Sequence, residues 1–367
     1  MALELNRYYK YLKRGLGRKN KLNFLILYTT ANCNLSCRTC FFHANLNKGT
    51  GFSLAEYKKI AARAGKFSIL LLSGGEPFLR NDLIEICSEF IKKCSVDSLI
   101  IPTNATLTDV IMKKTEKLLK RFPSVSISVN PSIDGPAAYH DKNRGVPGTF
   151  EKAIDTVKRL SILKKHYPNL KIVVNSVMEE RNLDELKELM IFMRRLEIDF
   201  HDFEILRGDY KDNSLRPPAL EEIKKMHRLI LANRLWYLNR DKKIGRKRLV
   251  FWLERIAIIG ALRYSQVFKE LALRGKEWPS KCPAGKDIAV IYPDGGYSDC
   301  ELRPVRANLK DYNFQLGRLG KKNKSRFGPG TNCACTHICF IHACMARDWK
   351  SIFKIPYYYF ESVRLKS

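Results

Sequence analysis

Hydrophobic runs alternate with amphipathic stretches along residues 22–206 of the chain. The short runs predict strands, because few polar residues interrupt them, and the stretches between them carry apolar residues at helical spacing. Ser53 and Thr149 stand where helix N-caps are expected. The predicted strands are 22–28, 67–72, 98–102, 125–129, 171–177 and 199–206. The predicted helices are 54–64, 82–94, 109–121, 149–166 and 183–196.

Six strands that alternate with helices predict an α/β fold with a parallel sheet and right-handed crossovers. Such a repeat closes into a barrel or an open partial barrel, and in both the C-terminal ends of the strands carry the chemistry. Pro217-Pro218 then marks a boundary. Residues 219–278 are predicted to be helical and basic. The aromatic clusters at 235–237 and 249–253 fit core packing between helices, with a lipid-facing surface as the alternative.

Composition adds a strong positive charge to a globular pattern. Hydrophobic residues make up 45% of the 367 residues, and 66 Lys and Arg against 37 Asp and Glu give a net charge of +29. Nucleic acid, anionic lipid, an acidic peptide and a phosphorylated small molecule are all compatible partners, as is a merely solvated lysine surface. No N-terminal apolar segment reads as a signal peptide, and the longest apolar run, 256–262, is too short to span a membrane. We therefore expect a cytoplasmic protein, with peripheral contact with an anionic membrane as an additional expectation.

Three of the eleven cysteines lie within eight residues directly after the first predicted strand. Cys33, Cys37 and Cys40 are separated by three and then two residues. Three thiolates at this spacing can hold three irons of a [4Fe–4S] cluster and leave the fourth iron open for a ligand. A zinc knuckle and buried free cysteines are the alternatives, but only His43 lies nearby as a fourth zinc ligand.

The second predicted strand runs into Ser73-Gly74-Gly75-Glu76-Pro77. The two glycines allow close backbone approach, and backbone groups at such an edge can bind a charged amino group. Placed one βα unit after the cysteine triplet, this segment resembles the methionine-binding segment of the radical S-adenosylmethionine (SAM) enzymes. The resemblance implies a SAM-binding [4Fe–4S] cluster on the triplet, with Gly74, Gly75, Glu76 and Pro77 as cofactor-binding residues.

Later segments extend the resemblance. The third strand ends in 102–107, Pro-Thr-Asn-Ala-Thr-Leu, which is similar to the family's TNGTL turn and makes Asn104 a cofactor-binding candidate. Residues 132–136, 140–145 and 148–150 resemble the S-I-D-G, H-D, R-G and G-S-F run of the sulfatase-maturing and peptide-modifying subgroup. In that subgroup the matching serine and arginine, here Ser132 and Arg144, contact the SAM carboxylate, and an Arg fork suits a carboxylate. The residue before the last cysteine is Thr39 rather than aromatic or His, so Phe41 or Phe42 is expected to supply the adenine surface.

The remaining cysteines cluster near the C-terminus. Twelve residues separate Cys282 from Gly295 and four separate Gly295 from Cys300, and the segment between alternates and turns as a β-hairpin does. This spacing resembles the SPASM or twitch extension of the same subgroup. Six thiolates saturate one auxiliary [4Fe–4S] cluster but not two, unless His337 or His342 joins or an iron stays open, so one is expected; a zinc site is the alternative. The metal ligands predicted here are Cys282, Cys300, Cys333, Cys335, Cys339 and Cys344.

The chain is thus predicted to be a partial (β/α)6 barrel with a C-terminal iron–sulfur, SPASM/twitch-like extension. The expected divisions are a basic N-terminal helix over 1–21, the barrel over 22–212, a helical connector over 213–281, the extension over 282–345 and an aromatic, basic tail over 346–367. Cys87 and Cys94, seven apart on one helix, are expected to be buried structural thiols.

The resemblance implies an enzyme that reductively cleaves SAM to a 5′-deoxyadenosyl radical, which abstracts hydrogen from a substrate. It also implies an electron donor such as flavodoxin or ferredoxin, and an auxiliary cluster that assists electron transfer or substrate binding. Glu204, Arg207 and Asp209, after the sixth strand, are the candidate catalytic residues for substrate contact, with a rim salt bridge as the alternative. A peptide, an amphiphile and a small anionic metabolite all remain open as substrates. The competing class is a non-enzymatic, zinc-stabilised nucleic-acid-binding protein, which gives no reason for the Gly-Gly-Glu-Pro segment.

Overall fold

Six parallel strands form the centre of the computed structural model, which describes residues 22–49, 51–240, 248–316 and 334–364. Each strand hydrogen-bonds in parallel to the next one in the chain. The predicted partial (β/α)6 barrel is confirmed, and the observed strands begin and end within two residues of the predicted ones. They are β1 (Phe24–Thr30), β2 (Ile69–Gly74), β3 (Ser98–Thr103), β4 (Ser126–Pro131), β5 (Leu170–Met178) and β6 (Phe200–Ile205).

Six helices follow the first five strands. One helix follows each of β1, β2, β3 and β5, and two helices follow β4. Their bounds are α1 (Leu54–Arg63), α2 (Leu83–Cys94), α3 (Thr108–Arg121), α4 (Ala137–Arg144), α5 (Thr149–His166) and α6 (Leu183–Met193). The predicted cap at Ser53 is confirmed, because its side chain accepts the N–H of Glu56 while the Glu56 carboxylate accepts the N–H of Ser53.

The predicted cap at Thr149 is wrong. Gly148 is the N-cap residue of α5 and Thr149 is its first helical residue. The carboxylate of Asp141, at the end of α4, accepts the N–H groups of Gly148 (2.6 Å) and Phe150 (2.8 Å), and Thr149 Oγ1 donates to the same carboxylate (2.8 Å). A charged acceptor from the preceding helix therefore accepts the free N–H groups at the start of α5, in place of the Thr149 hydroxyl.

The second half of the chain adds helices and a small hairpin to the barrel. These elements are α7 (Leu220–Arg240), α8 (Arg248–Leu273), β7 (Ile288–Ile291), β8 (Gly296–Ser298), β9 (Ala307–Asn308), α9 (Ile338–Arg347) and α10 (Trp349–Arg364). The predicted hairpin is present as the antiparallel pair β7–β8. Strand β7 also pairs in parallel with β1, so one sheet runs in the order β6-β5-β4-β3-β2-β1-β7-β8-β9. The cysteine-bearing extension is therefore continuous with the barrel sheet.

Two hydrophobic clusters hold the extension and the barrel together. The larger lies between the sheet and the outer helices and includes alternate strand residues such as Leu25, Leu27 and Leu70. The second contains the opposite face of β1, with Ile26 fully buried against residues such as Phe340 of α9. Helix α9 thus covers the inner face of β1, and the C-terminal cysteines are brought to the barrel.

No helix in these described ranges has the length and apolar content needed to cross a membrane. The predicted basic helix over 1–21 lies outside the described residues. The segment predicted as an aromatic, basic tail forms α10, which packs along α8. Cys87 and Cys94 are fully buried on α2, as predicted.

Candidate active site and cysteine clusters

The loop after β1 carries three free thiols, Cys33, Cys37 and Cys40, each partly exposed. The amide side chain of Asn47 fixes its start, because it accepts the N–H of Cys33 (2.9 Å) and donates to the Cys33 carbonyl (3.3 Å). Burial, and then the charges of Cys37 and Cys33, raise the pKa of Cys40 to about 11. The three sulfurs therefore share one electrostatic environment. A cation bridging them, or a cluster held by them, would remove this mutual repulsion.

The two glycines after β2 pack directly against this loop. A Cβ built on Gly74 would lie 2.2 Å from the Thr30 carbonyl oxygen, and one on Gly75 would lie 2.1 Å from the Asn32 carbonyl oxygen. The Gly75 N–H donates to the Thr30 carbonyl at 2.9 Å. Pro77 follows as the first residue of a short 3-10 turn in which Pro77 and Phe78 are buried. The glycines are thus required by contact with the cysteine loop, a role that the sequence analysis did not assign to them.

Glu76 is buried between the second and third strand ends. Its carboxylate accepts the N–H of Phe78 (3.1 Å), the Thr103 hydroxyl (2.9 Å) and the N–H of Asn104 (2.7 Å). Burial outweighs these hydrogen bonds and raises the pKa of Glu76 to about 7. Asn104 Nδ2 in turn donates to Asn34 of the cysteine loop at 2.8 Å. Glu76 and Asn104 therefore position the loop through protein contacts.

Arg144 lies beside the cysteine loop with only 8% of its surface exposed. Its Nη2 forms an ion pair with Asp134 (2.7 Å) and donates to the Ser132 carbonyl (2.9 Å), and its Nη1 lies 3.5 Å from Cys37 Sγ. Burial alone would lower the pKa of Arg144, but the charges of Asp134 and Cys37 raise it. Its Nε is buried without a hydrogen-bond partner. Sequence reasoning found Arg144 and Ser132 but missed Asp134, although Asp134 lies in the same Ser-Ile-Asp-Gly segment.

The two phenylalanines after the triplet have different surroundings. Phe42 is buried, with its ring 4.8 Å from the ring of Tyr28. Phe41 stays partly exposed, and the Arg207 guanidinium lies 5.8 Å from its ring. Of the two rings expected near adenine, only the Phe41 ring is exposed enough to contact a ligand at the rim of the barrel.

The end of β6 brings opposite charges together. Along β6 the odd-numbered residues are buried and the even-numbered ones partly exposed, so Glu204 faces away from the outer core. Its carboxylate lies 3.0 Å from Arg207 Nη1 and 3.8 Å from Lys269 Nζ. The rim salt bridge that the sequence left open is therefore present. Asp209 is exposed beyond the turn at Gly208 and does not join the pair.

Four of the C-terminal cysteines form one group. Cys282 precedes β7, Cys300 follows β8, and Cys335 and Cys344 lie before and within α9. A hydrogen bond from Cys344 lowers the pKa of Cys282, while burial, and then the charges of Cys300 and Cys282, raise the pKa of Cys335 to about 12. These four thiols therefore interact with one another. Cys333 lies outside the described residues.

Cys339 faces a different set of side chains. Burial raises its pKa, and the charges of Glu301 and Glu204 raise it further. The Glu301 carboxylate accepts the Tyr28 hydroxyl at 2.6 Å and is hydrogen-bonded to His337 Nε2. Cys339 thus lies where α9 meets the end of β6, and the neighbours that shift its pKa are charged side chains. Glu301 and His337 come from distant parts of the chain. The only sign in the sequence that they belong to the site is their position close to cysteines.

Within the described ranges, no three His, Cys, Asp or Glu converge as ligands of a single metal ion. The donor sets nevertheless suit iron–sulfur clusters, because each cluster iron takes its own thiolate and the ligands need not converge on one point. A cavity of about 270 Å³ opens beside Cys282 and Cys344 of the C-terminal cysteine group. Its lining residues are Ser280, Lys281, Cys282, Pro283, Lys286, Cys344, Arg347 and Asp348.

Comparison with known proteins identifies the barrel. Residues 27–193 match the family model described as the radical SAM superfamily. An uncharacterized protein of Methanocaldococcus jannaschii is 28% identical over 216 residues, which are 56% of this chain and 70% of that protein. The AdoMet-dependent heme synthase of Methanosarcina barkeri is 30% identical over 207 residues, 53% of this chain. The aligned part spans about half of that synthase, 54% of its length.

Solved structures extend the likeness to the C-terminal half of the fold. Streptococcus suis SuiB bound to the precursor peptide SuiA has a TM-score of 0.55 at 16% identity, over 86% of this chain and 70% of SuiB. The protein anSMEcpe with bound AdoMet and a peptide has a TM-score of 0.54 at 18% identity, over 94% of this chain and 98% of that one. At these identities the likeness concerns the fold alone.

Proposed function

Because residues 27–193 match the radical SAM superfamily, we propose that Cys33, Cys37 and Cys40 ligate a [4Fe–4S] cluster whose open iron binds SAM. The observation that carries the proposal is the construction of the cysteine loop. Three free, partly exposed thiols lie in one loop, the two glycines pack against that loop and the end of β1, and Arg144 lies 3.5 Å from one sulfur. When bound and reduced, the cluster and SAM supply the 5′-deoxyadenosyl radical that abstracts hydrogen from substrate.

The side chains around the loop are proposed to bind the amino-acid end of SAM. Arg144 retains an unpartnered, buried Nε, and its guanidinium is held in place by Asp134 and by the Ser132 carbonyl. A fixed guanidinium with a free donor suits a carboxylate. The segment Gly74 to Pro77, braced by Asn104 through Glu76, is proposed to present backbone acceptors to the ammonium group. Phe41 supplies the apolar surface for adenine in place of the absent aromatic residue at Thr39.

One auxiliary [4Fe–4S] cluster is proposed on Cys282, Cys300, Cys335 and Cys344. Four thiolates fully ligate one cubane, and the mutual interaction of these four groups supports the assignment. Cys339 is left out because, besides burial, the charges of Glu301 and Glu204 rather than those of the four thiols raise its pKa. Zinc is the alternative for the same four thiols, and metal analysis separates the two.

The substrate is proposed to bind at the end of β6, between the cysteine loop and α9. Glu204 and Arg207 are the proposed contact residues, and Lys269 lies within 4 Å of Glu204 and donates to a backbone carbonyl. Such paired charges hold a polar substrate in a fixed orientation and exclude water once it is bound. Asp209 remains a weaker candidate since it lies apart from the pair. A peptide or a small anionic metabolite fits these contacts better than the hydrocarbon part of an amphiphile.

The reductant is proposed to be an acidic one-electron carrier such as flavodoxin or ferredoxin. Lys281, Lys286 and Arg347 line the cavity that opens on Cys282 and Cys344. Opposite charge on the carrier would steer it to this opening. A cytoplasmic location remains a prediction.

The test uses the reconstituted chain under anaerobic conditions, with dithionite and SAM. We expect 5′-deoxyadenosine, detected by chromatography, and none from a variant with Cys33, Cys37 and Cys40 replaced by Ala. Deuterated cell extract, separated into peptide, lipid and small anionic fractions, then identifies the substrate class. The fraction that transfers deuterium into 5′-deoxyadenosine contains the substrate. Transfer from the lipid fraction alone would contradict the polar substrate proposed here.

A further inference from the structure

Helix α10 has one face fixed against the rest of the protein. Ser351, Ile355 and Tyr359 are buried at a spacing of four residues, and they pack on α8. The contact is very close, because a Cβ added to Gly260 would lie 2.1 Å from the Ile355 carbonyl oxygen. Arg263 of α8 also pairs with Glu361 at 3.0 Å. The opposite face of α10 is therefore held outward and cannot turn in to bury itself.

That outward face is a row of large apolar side chains. Their spacing of four, four, three and three residues places them along one side of the helix over about 21 Å. Single exposed apolar residues are ordinary, but a contiguous row of this kind marks an interaction site. The exposed fractions are 58% for Trp349, 75% for Phe353, 67% for Tyr357, 52% for Phe360 and 44% for Val363.

The beginning of α8 adds to this surface. Leu249, Trp252 and Leu253 are 66%, 46% and 52% exposed. Helices α8 and α10 run antiparallel, since Tyr264 lies beside Ser351 while Gly260 lies against Ile355. The first turn of α8 therefore lies toward the C-terminal end of α10, where it extends the apolar surface along the same pair of helices.

Cations flank the row, and no acidic side chain on α10 is left to oppose them. Lys350 and Lys354 are exposed beside the aromatic residues, and Lys350 Nζ lies 5.9 Å from the Trp349 ring. The one acidic residue of α10, Glu361, is occupied by Arg263. The whole chain carries a net charge of +29. An amphipathic helix with Trp, Phe and Tyr on its outer face and Lys beside them suits the boundary between anionic lipid headgroups and acyl chains.

We propose that the outer face of α10, together with the first turn of α8, docks on the surface of an anionic lipid bilayer. The helix would lie in the plane of the interface, because its 16 residues are too short to cross the hydrocarbon core. A second copy of the chain suits this face less well. In a two-fold interface the patch meets itself, so the lysines of the two copies would be brought together. The inference is independent of the proposed chemistry and would place the barrel beside a membrane.

The test is co-sedimentation of the full, reconstituted chain with phosphatidylcholine vesicles, with and without about 30% phosphatidylserine. We expect binding to the anionic vesicles only, decreasing as salt is raised. Phe353→Ser with Tyr357→Ser should abolish detectable binding. Lys350→Ala with Lys354→Ala should weaken it by roughly 30-fold, because each cation near an anionic surface contributes about 1 kcal/mol.

The matched control replaces two apolar residues elsewhere that are also more than half exposed. Ile162 and Ile191 are 59% and 58% exposed on α5 and α6, and Ile162→Ser with Ile191→Ser should leave vesicle binding unchanged. All variants should keep wild-type circular dichroism, iron content and SAM cleavage with dithionite, which separates loss of docking from loss of fold. Equal binding to neutral and anionic vesicles, no binding of the wild type, or equal losses in the control would overturn the proposal. Concentration-dependent dimerisation abolished by Phe353→Ser with Tyr357→Ser would instead assign the face to a second copy.

Discussion

Gly75→Ala should detach the cysteine loop from β2 although it alters neither a thiol nor a charged group. The new Cβ would lie 2.1 Å from the Asn32 carbonyl oxygen and 2.9 Å from that of Ala31, where ordinary contact begins at 3.4 Å. The loop must therefore move by more than 1 Å, because both obstacles are backbone atoms. The hydrogen bonds from Gly75 N–H to Thr30 (2.9 Å) and from Glu76 N–H to Asn32 (2.8 Å) would be lost or weakened. At about 1 kcal/mol each, with an overpacking cost of about 1–3 kcal/mol, the variant should lose about 3–5 kcal/mol.

The assay combines urea unfolding with iron analysis after anaerobic reconstitution. We expect the variant to lose about four irons per chain, those of the SAM-binding cluster, and to form little 5′-deoxyadenosine, while it keeps the auxiliary cluster. Gly65→Ala is the matched control, since Gly65 has nothing within 4 Å of the added Cβ and only its φ of +76° opposes the substitution. That control should cost about 1–2 kcal/mol and retain all iron. Wild-type stability and iron in Gly75→Ala would refute the close packing of glycine and cysteine loop.

Three further outcomes are expected. Arg144→Lys should weaken SAM binding, measured by equilibrium dialysis, by at least tenfold, because an ammonium cannot reproduce the planar guanidinium fork; unchanged affinity would exclude its role at the carboxylate. Cys335→Ser should lose the auxiliary cluster while Cys339→Ser keeps its iron, and the reverse result would exchange their roles. Burial lowers the pKa of His201 to about 3, so the unfolded chain alone binds this proton between about pH 6.5 and 3. Within that window, the free energy of unfolding should therefore fall by about 1.4 kcal/mol for each unit of pH decrease because of His201. The variant His201→Gln should abolish this pH dependence, whereas the control His166→Gln, at an exposed site, should keep it.

The barrel could be predicted from the sequence because its signals are local. Strands buried on both faces appear as continuous apolar runs, and helices appear through their spacing and caps. The capping of α5 was not predicted, because it depends on a contact that is not local. Its acceptor, Asp141, belongs to the preceding helix, and nothing in the spacing distinguishes it from a surface carboxylate.

The junction between barrel and extension depends on contacts that no local pattern encodes. The pairing of β7 with β1 joins Ile288 to Phe24 across more than 260 residues, and the hairpin signal alone was compatible with a separate sheet. Glu301 meets Tyr28 and His337 only through that pairing. The division of the C-terminal cysteines also depends on the fold. Spacing groups Cys335 with Cys339, but besides burial the charges of Cys300 and Cys282 raise the pKa of Cys335, whereas those of Glu301 and Glu204 raise the pKa of Cys339.

The central claim is that two separate cysteine groups hold two iron–sulfur clusters, of which the first acts on SAM. Iron counting on the anaerobically reconstituted chain, with 5′-deoxyadenosine measured after dithionite and SAM, tests it most directly. The account predicts about eight irons for the wild type. It predicts about four irons and no 5′-deoxyadenosine when Cys33, Cys37 and Cys40 are replaced by Ala. Bound zinc in place of iron, with no SAM cleavage by the wild type, would contradict it.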